Sequence, residues 1–306
     1  MNALPALRTG KPRIERGFVR PHPDLELPFG IVEGAQDGPC LLVTAGVHGS
    51  EFCSIEAALR LLKLSPEEIS GTLLVLPIVN VEGFRKRSIY VVPADGQNLN
   101  RVFPGRADGS ASERLAAWLV NSAFPVADAY LDLHGGDLNE ELMPFSIFTH
   151  GDQQAQAIAR AFGLPIMVSS RGKGRTISAA AELGLPGIIA EVSGNGLWNE
   201  AGVAVLVGGV HRVMHMLGMR VTTSESPATP SLVTMTVFSS EVQGLWYPYC
   251  RLGDKIGQGQ PVGEVRDVFG NVLSTITSSE TGFVLYQMTS LSVNVGEALI
   301  GIAAAL

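Results

Sequence analysis

Between residues 40 and 217 the chain repeats one pattern: a short apolar run bounded by glycine or proline, then apolar residues at helical spacing. "CLLVTA" (40–45) is short and almost wholly apolar, so it reads as a strand buried on both faces. In "EFCSIEAALRLLKL" (51–64), Phe52, Ile55, Leu59 and Leu62 recur on one helix face, and Ser65-Pro66 stops it. "GTLLVLPIVN" (71–80), "ADAYLDLHGG" (127–136), "PFSIFTH" (144–150), "PIMVSS" (165–170) and "PGIIAEVSG" (186–194) read as further strands. Helical patterns fall at 110–121, 152–162, 176–183 and 198–217. Strands buried on both faces need cover on both, and the alternating helices supply it. The expected fold is α/β, a mostly parallel or mixed sheet with helices on both faces.

The pattern stops at "VTTSESPATPS" (221–231), which has two prolines and no apolar period. This predicts a domain over 1–222, a linker over 223–232 and a second domain over 233–306. The tail has short strands punctuated by glycine and no helix signal. It also repeats: "SSEVQG" (239–244) and "SSETG" (278–282) each precede another glycine, Gly259 or Gly296, and a further strand. Two similar halves suggest a small pseudo-symmetric β-barrel or sandwich, similar to the biotinyl/lipoyl carrier fold. That fold carries its cofactor on a lysine at a hairpin tip. The matching turn "DVFGNVL" (267–273) has none, so the tail is expected to be a structural or interaction module.

Composition narrows the partners. The 306 residues are 46% hydrophobic and 17% charged, with net charge −7 and no basic cluster beyond "RKR" at 85–87. Nucleic acid and anionic membrane surfaces are disfavoured on that charge. "AGVAVLVGGV" (201–210) is too short to span a bilayer, and the N-terminus lacks a signal-peptide apolar run. Three cysteines without close pairs read as reduced thiols of a cytoplasmic protein. The apolar "GLWYPYC" (244–250) leaves homo-oligomerisation open.

Ligands bind outside the carboxyl ends of strands in open parallel sheets. Three strand ends there carry polar groups: His48 and Glu51 in "TAGVHGSE" (44–51), Asp132 and His134 in "DLHGG" (132–136), and Glu191. Two histidines and a glutamate make the set a catalytic zinc uses, leaving one position for water. Asp132 faces the same side of its strand as His134 and could bind the second nitrogen of a ligand histidine.

"GVHGSE", "NLNRVFPG", "DLHGG" and "AEVSG", in that order, closely resemble the succinylglutamate desuccinylase/aspartoacylase family, a branch of the zinc carboxypeptidase-like fold. The resemblance implies one Zn²⁺ per chain on His48, Glu51 and His134, with Glu191 as general base. It implies that Asn100 and Arg101 bind the substrate carboxylate, and Arg175 matches a further substrate-binding arginine. The family's oxyanion arginine sits in an Arg-Tyr step; here Ile89 precedes Tyr90, so Arg87, or Arg85, is expected to serve. The implied activity is hydrolysis of a small N-acyl amino acid at its linear amide. A zinc carboxypeptidase acting on short peptides and a non-catalytic metal-site binding protein are the alternatives. Acetylated diaminobutyrate, aspartate-type and succinylated glutamate-type substrates all remain open. His211 and His215 share metal-like i, i+4 spacing, but Arg212 stands where a zincin motif needs glutamate, so they read as helix-end residues.

Overall fold

A computed structural model describes residues 4–220 and 229–306; residues 223–228 of the expected linker therefore lie outside the described residues. The longer strands are β1 (Arg13–His22), β2 (Leu25–Glu33), β3 (Cys40–Ala45), β4 (Thr72–Leu76), β5 (Ala129–His134), β6 (Phe145–Thr149), β7 (Ile166–Ser170), β8 (Gly187–Glu191), β9 (Ser231–Ser239), β10 (Gly244–Pro248), β11 (Pro261–Arg266), β12 (Val272–Thr277), β13 (Gly282–Met288) and β14 (Ala298–Ala305). The helices are α1 (Phe52–Leu61), α2 (Val81–Lys86), α3 (Ala111–Trp118), α4 (Gln153–Phe162), α5 (Thr176–Glu182) and α6 (Glu200–Met216). The main sheet runs β1-β2-β4-β3-β5-β8-β6-β7-β9-β14-β13. Its centre, β4-β3-β5-β8, is parallel, and β6 runs against β8. The sheet is thus mixed, as its apolar strands require, with every residue of β3, β4 and β5 buried.

Two apolar layers cover it. One face packs Ala57 and Leu61 of α1, Ile158 and Phe162 of α4, and Leu206 and Val210 of α6. The other packs Leu115 of α3 and Ile177 and Ala180 of α5. The apolar run at 201–210 lies within α6, where Gly209 lets the backbone close on the Phe162 ring; a Cβ there would stand 2.3 Å from it. Among the described residues no helix is long and apolar enough to cross a membrane. Cys40, Cys53 and Cys250 are free and buried.

Two expectations are corrected here. Ser231 and Leu232, read as linker, already form β9, and they pair in parallel with Ile166 and Met167 of β7. β9 then pairs with β14, so the tail extends the same sheet before leaving it. The β1–β2 hairpin also escaped the pattern. Its outer strand β1 exposes alternate residues, including Phe18, and so lacks the apolar run of a buried strand.

The tail's second sheet, β12-β11-β10 with Ser292–Val293, encloses its own core around Trp246, Val262 and Ile300. The repeat read from sequence has a physical counterpart. Ser240 exchanges backbone hydrogen bonds with Gly296 and Glu297, while Ser278 exchanges them with Gly259 and Gln260. Each half's serine thus clasps the other half's glycine turn. Trp246 and Cys250 are buried within this module, so "GLWYPYC" mainly serves its own core.

Among the described residues, His211 and His215 form no metal cluster. His215 Nδ1 lies 3.1 Å from the Arg220 carbonyl. Burial, then the nearby Arg220 charge, pushes the His211 imidazole down to about 4. The unfolded chain therefore takes up this proton first, and stability falls as pH drops from about 6.5 toward 4. The full shift would carry roughly 3 kcal/mol; discounted for partial exposure, His211→Gln is expected to recover about 1–2 kcal/mol at acid pH. Urea unfolding of both proteins near pH 7 and near pH 4.5 checks this; parallel pH profiles would refute it.

Candidate functional site

The sheet brings the strand-end residues together through register. β3 and β5 align Thr44 with Asp132, and β5 and β8 align His134 with Glu191. Beyond β3 the chain turns at Gly46, whose φ of +62° suits glycine. Gly49 then passes so close to α2 that a Cβ would stand 2.1 Å from the Phe84 nitrogen. This tight path delivers His48 and Glu51 beside His134.

His48, Glu51 and His134 are all buried, and one ligand atom from each lies within 4.8 Å of the others. His48 Nδ1 is 2.7 Å from Glu51 Oε1, and His134 Nδ1 is 3.0 Å from Glu51 Oε2. The outer nitrogens face other acceptors. His48 Nε2 lies 3.1 Å from Asn98 Oδ1, which also accepts the Asn100 N–H, so Nε2 carries the proton. His134 Nε2 lies 2.9 Å from Asp132 Oδ2. Asp132 is fixed in turn by the hydroxyls of Thr44 and Thr176, each 2.6 Å away. With Nε2–H committed outward, His48 offers a lone pair at Nδ1 toward a carboxylate. A proton or a metal ion can bridge such facing acceptors.

Burial opposes ionisation of Glu51, yet His134 and His48 overcome it and hold the carboxyl down at about 2. Burial also opposes charging of His134, but the Asp132 and Glu51 carboxylates drive its imidazole well above the usual range. Glu191 goes the other way: burial, joined by Glu51, Glu140 and Asp132, outweighs His134 and raises its carboxyl well above the carboxylate range. A carboxyl raised in this way is suited to trading protons.

His48, Glu51 and Glu191 line a cavity of about 380 Å³ together with Asn100, Arg101 and Arg175. The two arginine loops are stitched together, since Asn100 Oδ1 accepts the Thr176 N–H at 2.9 Å and Phe103 N–H donates to the Gly174 carbonyl. Arg175 Nη1 is held by Ser170 Oγ at 2.9 Å. Burial and the like charge of Arg101 lower the Arg175 guanidinium, with Glu191 opposing. Two guanidiniums this close await an anion.

The expectation for Arg87 is not met. Arg87 closes α2 in a left-handed conformation (φ 52°) with its side chain exposed, and it does not line the cavity. Arg85 faces a different groove, with Arg20 and Arg114. Tyr90 reaches the cavity instead, its ring 5.8 Å from that of His48 and its hydroxyl donating to Asn139 Oδ1. Sequence reasoning also missed Asn98, although it stands inside the "NLNR" motif, and Thr44, the one polar residue of an apolar strand. It could not have found the opposite wall, which the tail supplies through Met235, Tyr286 and Met288.

The mixed α/β sheet thus gathers at its carboxyl edge a His₂-carboxylate cluster that could hold a metal ion, an acid and two arginines. The chain belongs to the succinylglutamate desuccinylase/aspartoacylase family: that family's catalytic-domain model matches residues 37–217. This is a family of N-acyl amino acid deacylases. An N-alpha-acetyl-L-2,4-diaminobutyric acid deacetylase from Halomonas elongata is 28% identical over 90% of this chain and 85% of its own. The fold is that of a succinylglutamate desuccinylase/aspartoacylase from Rhodobacter sphaeroides, with TM-score 0.87, 24% identity and 99% of both chains covered. The product-bound ectoine utilization protein EutE (DoeB) from Ruegeria pomeroyi is similar at TM-score 0.84 and 24% identity, covering 95% of each chain.

Proposed function

We propose that the protein is a zinc-dependent hydrolase of the amide bond of a small N-acyl amino acid. The observation that carries this reading is the convergence of His48, Glu51 and His134 beside Glu191 in a cavity that also holds Arg101 and Arg175. The donor set fits zinc: two imidazole nitrogens and a carboxylate, with His48 Nε2 at Asn98 Oδ1 and His134 Nε2 2.9 Å from Asp132 Oδ2. A bound zinc supplies Lewis acidity and lowers the pKa of water. The chain's own residues do the rest. Arg101 and Arg175 hold the substrate carboxylate, with Asn100 fixing the loop that presents them. The Glu191 carboxylate takes a proton from the attacking water and returns it to the leaving amine.

The wall from the tail favours acyl amino acids over peptides. Met235, Tyr286 and Met288 add bulk to the cavity lining, which leaves less room for a longer chain. The curated relative acts on an N-acetylated diamino acid, and the same substrate is a candidate here. The test is a zinc-loaded screen of acetylated and succinylated amino acids beside tri- and tetrapeptides. Turnover of acyl amino acids well above that of peptides is expected. Equal peptide turnover would favour a carboxypeptidase, and tight binding without turnover a pure binding protein.

A further inference from the structure

Six carboxylates and guanidiniums line the cavity: Glu51, Glu140, Glu191, Glu297, Arg101 and Arg175. Five are accounted for. Glu51 joins the ligand cluster, Glu191 is the proposed base, and the arginines await the carboxylate. Glu297 is tied down by Asn294, whose N–H and Nδ2 donate to it at 2.8 and 3.1 Å. Glu140 remains. It is nine-tenths buried, yet among the described residues its carboxylate receives only neutral donors, the Tyr286 and Tyr90 hydroxyls and the Asp137 N–H at 3.2 Å, and none from a lysine, arginine or histidine.

We infer that Glu140 is a specificity residue that binds a cationic amino group on the side chain of the substrate, making the preferred class N-acyl diamino acids. The inference rests on the N-acyl amino acid hydrolase reading and chooses among the substrates that reading leaves open. Its physical basis is the cost of a buried carboxylate without a counter-charge, which a ligand ammonium would offset. The position is rigid: Glu140 lies in the short strand Glu140–Leu142, which pairs with β13 and sets Glu140 opposite Met288. The cavity is therefore bipolar, with arginines for one carboxylate and Glu140 for one ammonium. An aspartyl or glutamyl side chain would set a second carboxylate against Glu140, a like-charge contact that rejects it.

The test compares wild type with Glu140→Gln on Nα-acetyl-2,4-diaminobutyrate, on its neutral analogue Nα-acetyl-2-aminobutyrate, and on N-acetylaspartate. Wild type is expected to show the highest kcat/KM on the diamino substrate. In E140Q the diamino-to-neutral preference should fall about tenfold or more, as loss of one partner of a buried charge pair implies. A preference ratio unchanged in E140Q, with both substrates slowed alike, would reduce Glu140 to a structural role and overturn the inference. Should E140Q fail to fold, wild-type preference for N-acetylaspartate would overturn it by itself. If wild type cleaves none of the three, nor any acetylated or succinylated amino acid of the wider screen, the hydrolase reading fails instead. Calorimetry with free 2,4-diaminobutyrate and 2-aminobutyrate then still decides on Glu140, because only the diamine should bind more tightly to wild type than to E140Q.

Discussion

His48→Ala is expected to bind less than a tenth of the zinc of wild type and to lose at least about 10³-fold in kcat/KM. Removing one of three protein donors leaves the ion with two, while catalysis by a metal depends on a fixed, incomplete shell. His48 is the ligand to remove because its loss strands little. Its outer partner, Asn98 Oδ1, keeps the Asn100 N–H at 2.9 Å. His134→Ala should lose metal equally but also stability. It leaves Asp132 buried without its imidazole and takes one of the two from Glu51, at a cost of about 3–5 kcal/mol for a broken buried pair. Metal analysis, activity and thermal unfolding of the two variants separate the effects. Full zinc occupancy in H48A would show that the cluster is not the metal site.

Glu191→Gln is expected to keep its zinc and its fold and to lose about 10²–10⁴-fold in kcat, the usual worth of a positioned general base. The amide matches the carboxylate in volume, and the backbone is pinned on both sides, opposite His134 on β5 and Phe145 on β6. The side chain therefore stays in place and loses only its capacity for the proton. Because its folded-state carboxyl is raised by burial, wild-type activity should fall on the acid side as Glu191 becomes protonated. E191Q should lack that limb. Wild-type rates in E191Q would remove Glu191 from the chemistry.

Much of this site was legible in the chain because its signals are local. Strand β3 was read at its observed bounds, Cys40–Ala45, since a fully buried strand must be uniformly apolar. A glycine turn after such a strand puts the next polar residues at the carboxyl edge, which singled out His48 and Glu51. Asp132 and His134 followed from strand alternation. What failed had no local signal. The expectation for Arg87 rests on resemblance to the family's arginine, but the left-handed residue that ends α2 turns the chain, so Tyr90 and not the arginine reaches the cavity.

The sequence by itself determined the layered α/β fold, the metal-type cluster, its acid and the family. Each of these is written in short motifs or in periodicity, and periodicity reports which face of an element is buried. Only the tertiary structure decided that the tail joins the main sheet through β9, walls the cavity, and sets the Tyr286 hydroxyl on Glu140. Residues 140 and 286 are far apart in the chain. No propensity or period links them, and their meeting depends on the long-range pairing of the Glu140–Leu142 strand with β13, which is a property of the whole fold.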